Sequence, residues 1–264
     1  MADEEPTSIW MQPERHERSG PGRRPGYSRD QITRTAVRIA DAEGVEAATM
    51  RRIACELGTG AMSLYRYVPR RDDLFDLMID LAMSEIELPD RPSGDWRSAL
   101  TLLARQIRAA GLRHPWLIAL LTSRPTLGPN LLRVHEFALG AFERTGLDID
   151  DITGFVGMLN DYIHSAIRRE IGWLEEARRT GLDPERWKRD YMGPYVRQVV
   201  ESGAFPLFSQ SVLDSRTAHL APGERFQQGL ERILDAIAAL RPGTHGDPNP
   251  ASNPIRPWDF GGEG

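Results

Sequence analysis

The sequence predicts an all-α protein, with a small three-helix unit near the front and a larger helical unit behind it. Two observations carry that prediction. Apolar residues recur at i, i+3, i+4 and i+7 through most of the patterned stretches, and no segment alternates apolar and polar residues as a half-buried strand does. Capping residues and glycines fall at the edges of the same stretches. At 264 residues, 40% hydrophobic and 27% charged, the chain has the balance of one or two globular domains with real cores.

In chain order, residues 1–26 carry Pro6, Pro13, Pro21, Pro25 and three Gly without any period, and read as a flexible arm ending in a basic cluster. Ser28-x-x-Gln31 is a capping box for a first helix, with Ile32, Ala36, Ile39 and Ala40 at helical spacing until Gly44. Thr49 caps a second helix through Leu57, with Ile53, Ala54 and Leu57 inward and Cys55 expected on the core side. Gly58-Thr59-Gly60 then gives a tight turn, and a third helix over Ala61 to Tyr67 stops before Pro69. Asp72 and Asp73 suit the positive start of a connecting helix over 72–87, whose stripe is Leu74, Leu77, Met78, Leu81 and Ala82.

After a Pro- and Gly-rich break at 89–95, helices are predicted from Asp95 or Trp96 to His114-Pro115, over Trp116 to Thr122, and from about Asn130 to Thr145. The longest starts near Asp150 and keeps its rhythm from Ile152 to Leu174, ending at Arg178 and Gly181. Another helix follows Pro184, residues 203–221 read as irregular, and Gly223 to Leu240 is the last helix. Residues 242–264, with five Pro and five Gly, read as a disordered tail. The expected domains are therefore an arm over 1–26, a three-helix unit over 27–71, a helical unit over 72–241, and the tail.

Charge divides the chain. From Arg15 to Arg71 there are 12 Arg against 6 acidic residues, whereas from Asp72 onward 21 basic residues face 28 acidic ones. A basic front on a chain of net charge −5 points to a polyanion at that end only. The single cysteine rules out an internal disulfide and a Cys-based zinc site, so a reducing, cytoplasmic setting is expected. The start of the chain lacks an apolar run and the longest run elsewhere is the short WLIALL at 116–121, so neither a signal peptide nor a membrane span is expected.

Enzyme signatures fail on inspection. Gly58-x-Gly60 lacks a third glycine and follows no strand, and His135-Glu136 has Leu139 where a zinc-binding helix needs its second His. The carboxylates at Asp148, Asp150, Asp151 and Glu175-Glu176 sit where caps and solvated faces belong. No enzyme, cofactor or metal is expected.

A supporting helix, a short helix, a glycine turn and a second short helix make the arrangement of a helix-turn-helix DNA reader. The second helix must enter the major groove, so its leading face needs small or polar residues flanked by phosphate-holding groups. Thr59, Ala61, Met62, Ser63 and Arg66 fit that face, while Leu64 and Val68 point inward. Arg51 and Arg52 start the preceding helix, where charge and the helix dipole both favour phosphate. Arg23 and Arg24 lie on an arm able to reach an adjacent minor groove.

Residues 28–81, SRDQITRTAVRIADAEGVEAATMRRIACELGTGAMSLYRYVPRRDDLFDLMIDL, closely resemble the DNA-binding domain of the TetR family of transcriptional regulators. The resemblance implies that Thr49 and Arg52 flank the second helix as DNA contacts, that Ala61 to Tyr67 is the recognition helix, and that Tyr65 and Tyr67 are its paired tyrosines. Arg71 stands where the family usually has a phosphate-contacting Lys, so the cation is kept. A weaker resemblance over 96–241, through Trp96, His114-Pro115-Trp116 and Arg124-Pro125-Thr126, is to the tetracycline-repressor type of C-terminal domain.

That second likeness implies a helical ligand-binding and dimerisation domain, with Arg124 and Pro125 lining an inducer pocket. The chain departs from the tetracycline binders at the positions that matter. Leu120 or Leu121 replaces the metal-linking His, Leu103 and Ile107 replace the Asn and Phe of the first pocket helix, and Glu136 falls near the pocket Gln. A hard cation complex needs nitrogen or oxygen ligands, so magnesium-tetracycline does not fit and a more apolar small molecule is expected. Candidate contacts are Ile107, Trp116, Arg124, Pro125, His135, Asn160 and His164.

The resemblance also implies a homodimer joined as a four-helix bundle by the 150–179 and 223–240 helices, with Gly154, Gly157 and Ala166 allowing close approach. The expected function is that of a repressor released from a palindromic operator in double-stranded DNA by its ligand. The alternative is a DNA binder without a ligand, whose operator binding no small molecule would alter.

Overall fold

The computed structural model describes residues 7–13, 27–214 and 220–239, and no strand occurs among them. The reader unit consists of α1 (Arg29–Glu43), α2 (Met50–Leu57), α3 (Ala61–Leu64) and the front of α4 (Arg71–Ser84). Each start is set locally. Ser28 accepts from Gln31 N at 3.1 Å while Gln31 Oε1 accepts from Ser28 N at 3.1 Å, closing the capping box. Ile32, Ile39, Ile53, Leu64, Val68 and Leu74 bury together beneath these helices, each worth about 1.5–3 kcal/mol.

The body is built from α5 (Trp96–Arg113), α6 (Leu117–Ser123), α7 (Pro129–Gly140), α8 (Ile149–Thr180), α9 (Pro184–Arg186), α10 (Gly193–Glu201), α11 (Pro206–Asp214) and α12 (Pro222–Ala239). The long α8 is its spine: Val156, Leu159, Ile163 and Ile167 recur on one face and bury against α5, α6, α7 and α12. Its ends are fixed by Asp148, which accepts from Asp151 N at 2.8 Å, and by Gly181 in the left-handed region. α4 continues from the reader into the body, where it packs on α6 and α7.

Several elements differ from the sequence reading. α3 is regular only to Leu64, and residues 65–67 continue as turns toward Pro69. α11 occupies part of the segment read as irregular; Leu207, Phe208 and Leu213 remain exposed on it, so no buried stripe marked it in the sequence. Cys55 is exposed, not inward: it lies two residues, about 200° of turn, beyond the buried Ile53. Residues 7–13, within the stretch read as a flexible arm, form a 3-10 turn at Ile9–Met11 with Ile9 only 1% exposed. The remainder of that arm and the 242–264 tail lie outside the described residues.

Candidate nucleic-acid interface

Thr49 accepts from Arg52 N at 3.2 Å and starts α2, and Gly58, at φ 68°, ends it with its N–H turned back to Ala54 and Cys55. Thr59 N then donates to Ala54 O at 2.9 Å, which sets the angle at which α3 leaves. On α3 and the turns after it, Leu64 and Val68 are fully buried, while Met62 is 79% exposed and Tyr65 and Arg66 are exposed beside it. Thr59, Ala61 and Ser63 are half-buried at the rim. The outward set is small, polar or flexible, as a groove-entering face requires.

The paired tyrosines are placed differently. Tyr67 is 4% exposed and its ring belongs to the reader core, while Tyr65 is 42% exposed beside Met62. The Tyr67 carbonyl is used as well, accepting from Arg29 Nε at 3.0 Å.

The flanking cations are parked on carboxylates. Arg52 pairs with Glu43 at 2.9 Å and with Glu56, which also takes Arg38 at 2.8 Å. Hydrogen bonds first from Arg38 and then from Arg52 hold the Glu56 carboxyl below the usual carboxylate range. Arg71 reaches Glu46 at 2.6 Å while lying over the Phe75 ring. Such exposed pairs contribute about 0–1 kcal/mol, so a phosphate can replace the carboxylate at little cost. Arg51 is exposed at the start of α2. Arg23 and Arg24 lie outside the described residues.

The predicted ligand contacts are not gathered in one place. Ile107 is buried on α5, His135 and Pro125 are exposed, and Asn160 and His164 are half-buried on α8. Trp116 turns toward the reader, donating from Nε1 to Asp41 Oδ1 at 2.7 Å. Arg124 turns to α4, donating to Asp76 Oδ1, which also takes the Thr126 hydroxyl at 2.6 Å. These two therefore join helices where the resemblance implied a pocket. His164 lines a groove of about 460 Å³ with Thr122, Asp161 and Arg168, and burial, partly opposed by Asp161, pushes its ring below the ordinary histidine range. A larger cleft of about 1020 Å³ lies between the 88–94 segment, α7 and the start of α8, lined by Arg133, Phe137, Arg144 and Ile152 among others. Sequence reading named none of its residues as ligand contacts, and did not single out Asp41 or Asp76. The only local signal for the last two was the corner and the Arg124-Pro125-Thr126 segment that they meet.

Among the described residues no three His, Cys, Asp or Glu side chains cluster as a metal site, and no helix is long and apolar enough to cross a membrane.

Comparison with known proteins agrees with this geometry. Residues 32–78 match the family described as bacterial regulatory proteins, tetR family, and residues 88–241 match the tetracyclin repressor-like C-terminal domain. The chain is 39% identical over 221 residues to the HTH-type transcriptional repressor DrrR1 of Streptomyces coeruleorubidus, covering 83% of this chain and 80% of that one. It is 29% identical over 232 residues to an HTH-type transcriptional regulator of Saccharopolyspora erythraea, covering 86% and 94%. The Streptomyces coelicolor TetR family protein ActR, solved in complex with actinorhodin, superposes with a TM-score of 0.66 at 27% identity, covering 81% of this chain and 96% of that one.

Proposed function

Because the chain belongs to the TetR family of transcriptional regulators, and is therefore a DNA-binding helix-turn-helix protein and not an enzyme, we propose that it is a homodimeric repressor of a near-palindromic operator, released by a small and rather apolar ligand. The observation that carries the reading is the outward set of Met62, Tyr65 and Arg66 on a reader whose other side is fully buried, flanked by exchangeable Arg52 and Arg71. Arg51, Arg52, Tyr65 and Arg71 hold phosphates, with Thr49 at the helix start, while Thr59, Ala61, Met62, Ser63 and Arg66 enter the major groove and Arg23 and Arg24 reach an adjacent minor groove. The dimer seats each reader in one of two major grooves about 34 Å apart.

An apolar effector is supported by Leu103, buried where the tetracycline binders carry an Asn, and by Leu120 or Leu121 in place of their metal-linking His. That ActR is solved with actinorhodin supports a small-molecule effector of some kind. Ligand works by binding the non-DNA state more tightly, with α4 as the lever between reader and body.

Selection of duplex DNA from a random pool tests the reading. A twofold-symmetric enriched site near a promoter is the expected result. No enrichment at moderate salt, from folded protein freed of carried-over ligand, would overturn it.

A further inference from the structure

We propose that the angle of the reader is fixed by two joints at the two ends of α1, one made by Trp10 and the other by Asp41, and that these residues set operator half-site spacing without touching DNA. The proposal rests on the dimeric-reader reading above.

The first joint is the segment Thr7–Pro13. Arg29, the first residue of α1, donates from Nη1 to Gln12 O at 2.9 Å and from Nε to Tyr67 O at 3.0 Å. Arg70, just before α4, donates from Nη2 to Thr7 O at 3.1 Å. The segment is thus tied to the reader by two guanidinium groups, with Ile9 buried. Its other contact is with the body. The Trp10 ring lies so close to Gly128 that a Cβ there would stand 2.9 Å from Trp10 Cζ2 and collide with Asp80. Gly128 precedes α7, whose first amides donate to the buried Asp80 of α4, Asn130 N at 2.8 Å and Leu131 N at 3.1 Å. Trp10 therefore bears on a point where α4 and α7 are already locked together.

The second joint is at the other end of α1. Asp41 Oδ1 accepts from Trp116 Nε1 at 2.7 Å and lies 2.8 Å from His114 Nδ1, so both ring systems of the α5–α6 corner converge on one oxygen of the reader. His114 is 3% exposed, and its Nε2 lies 3.2 Å from Glu85 Oε2, just past the end of α4, where Arg113 also pairs. Burial raises the Glu85 carboxyl, but Arg113 and His114 outweigh it and hold the group below its usual range.

Arg29 and Asp41 are twelve residues apart, about 18 Å along the helix axis. One attachment would leave α1 free to pivot, whereas two at that separation fix its direction against the body. Direction is what a dimeric reader needs, because each added base pair moves a half-site by about 3.4 Å and rotates it around the duplex. A reader held at one angle accepts one spacing; a reader loosened at either joint accepts neighbouring spacings as well.

The test uses the full chain, a pool of duplexes carrying the selected half-site at every spacing over one helical turn, and the variants Trp10→Ala and Asp41→Ala, the second of which removes the oxygen that Trp116 and His114 share. Trp10 lies outside the helical core and Asp41 is on the exposed end of α1, so both variants are expected to fold, which thermal unfolding checks. Each should lower the preference for the wild-type spacing over its neighbours by about fivefold, the scale of one lost side-chain contact. The preferred bases within a half-site should stay the same. Wild-type spacing preference in a folded variant removes that joint, and in both it overturns the proposal; failure of the wild type to select any half-site overturns the regulator reading itself.

Discussion

At the scale of single residues, the chemistry of the reader is a competition for arginines. Arg52 already holds Glu43 and Glu56, and DNA must exchange those carboxylates for phosphate. The exchange releases counterions from DNA, so each phosphate contact adds roughly 0.9 to the slope of log affinity against log salt. Arg52→Ala, which removes one contact from each protomer of the dimer, is therefore expected to weaken binding to all sequences alike and flatten that slope by about 1.8, measured by titration at several salt concentrations. An unchanged slope would remove Arg52 from the phosphate contacts. Met62→Ala, by contrast, should alter base preference and leave the slope alone. Tyr67 shows where residue-level reading stops: a Leu-Tyr-x-Tyr pattern gives two aromatic rings without saying that the second is covered by the helices packed on it, which the fold alone decides.

At the scale of elements, local chemistry was readable because its partners are a few residues away. The Ser28 box and the Thr49 cap each span three residues and stand where the sequence predicts them, and Asp148 caps the long helix two residues before its expected start near Asp150. The glycine turn was readable as a turn but not in its division of labour. Gly58 has φ 68° and needs the left-handed region, whereas Gly60 has φ −87° and ψ 142°, an extended conformation open to any residue. Neither has anything within 4 Å of an added Cβ, so backbone strain alone separates them. Gly58→Ala is expected to destabilise the protein by about 1–2 kcal/mol and Gly60→Ala to be near neutral, compared by denaturant unfolding. Equal effects would mean that the turn is not strained at Gly58. α11 was missed for the opposite reason: its large apolar residues stay exposed, and a helix without a buried stripe leaves no period to read.

At the scale of the whole molecule, what escaped the sequence is what depends on distant partners. Asp41 meets His114 and Trp116 across 73 and 75 residues, and Trp10 meets Gly128 across a still longer stretch, separations at which no spacing pattern survives. The proposed dimer surface is of the same kind, since the apolar face of α8 is spent on its own protomer and Ala166, a candidate for close approach, is buried there. What remains outward is a strip through Gly154, Gly157, Met158, Asp161 and Ser165. An added Cβ at Gly154 or Gly157 meets nothing within 4 Å, so the isolated fold has room for a side chain at both. Helix propensity even favours replacing glycine, by about 1 kcal/mol. Gly157→Arg is therefore expected to leave the fold and its melting temperature intact while it blocks the approach of a second copy. Sedimentation should then show a dimer for the wild type at micromolar concentration and a monomer for the variant. Operator affinity should fall by about a hundredfold, because the second half-site no longer adds to the first. A wild-type monomer, or a Gly157→Arg dimer with unchanged affinity, would place the twofold contact on a different face.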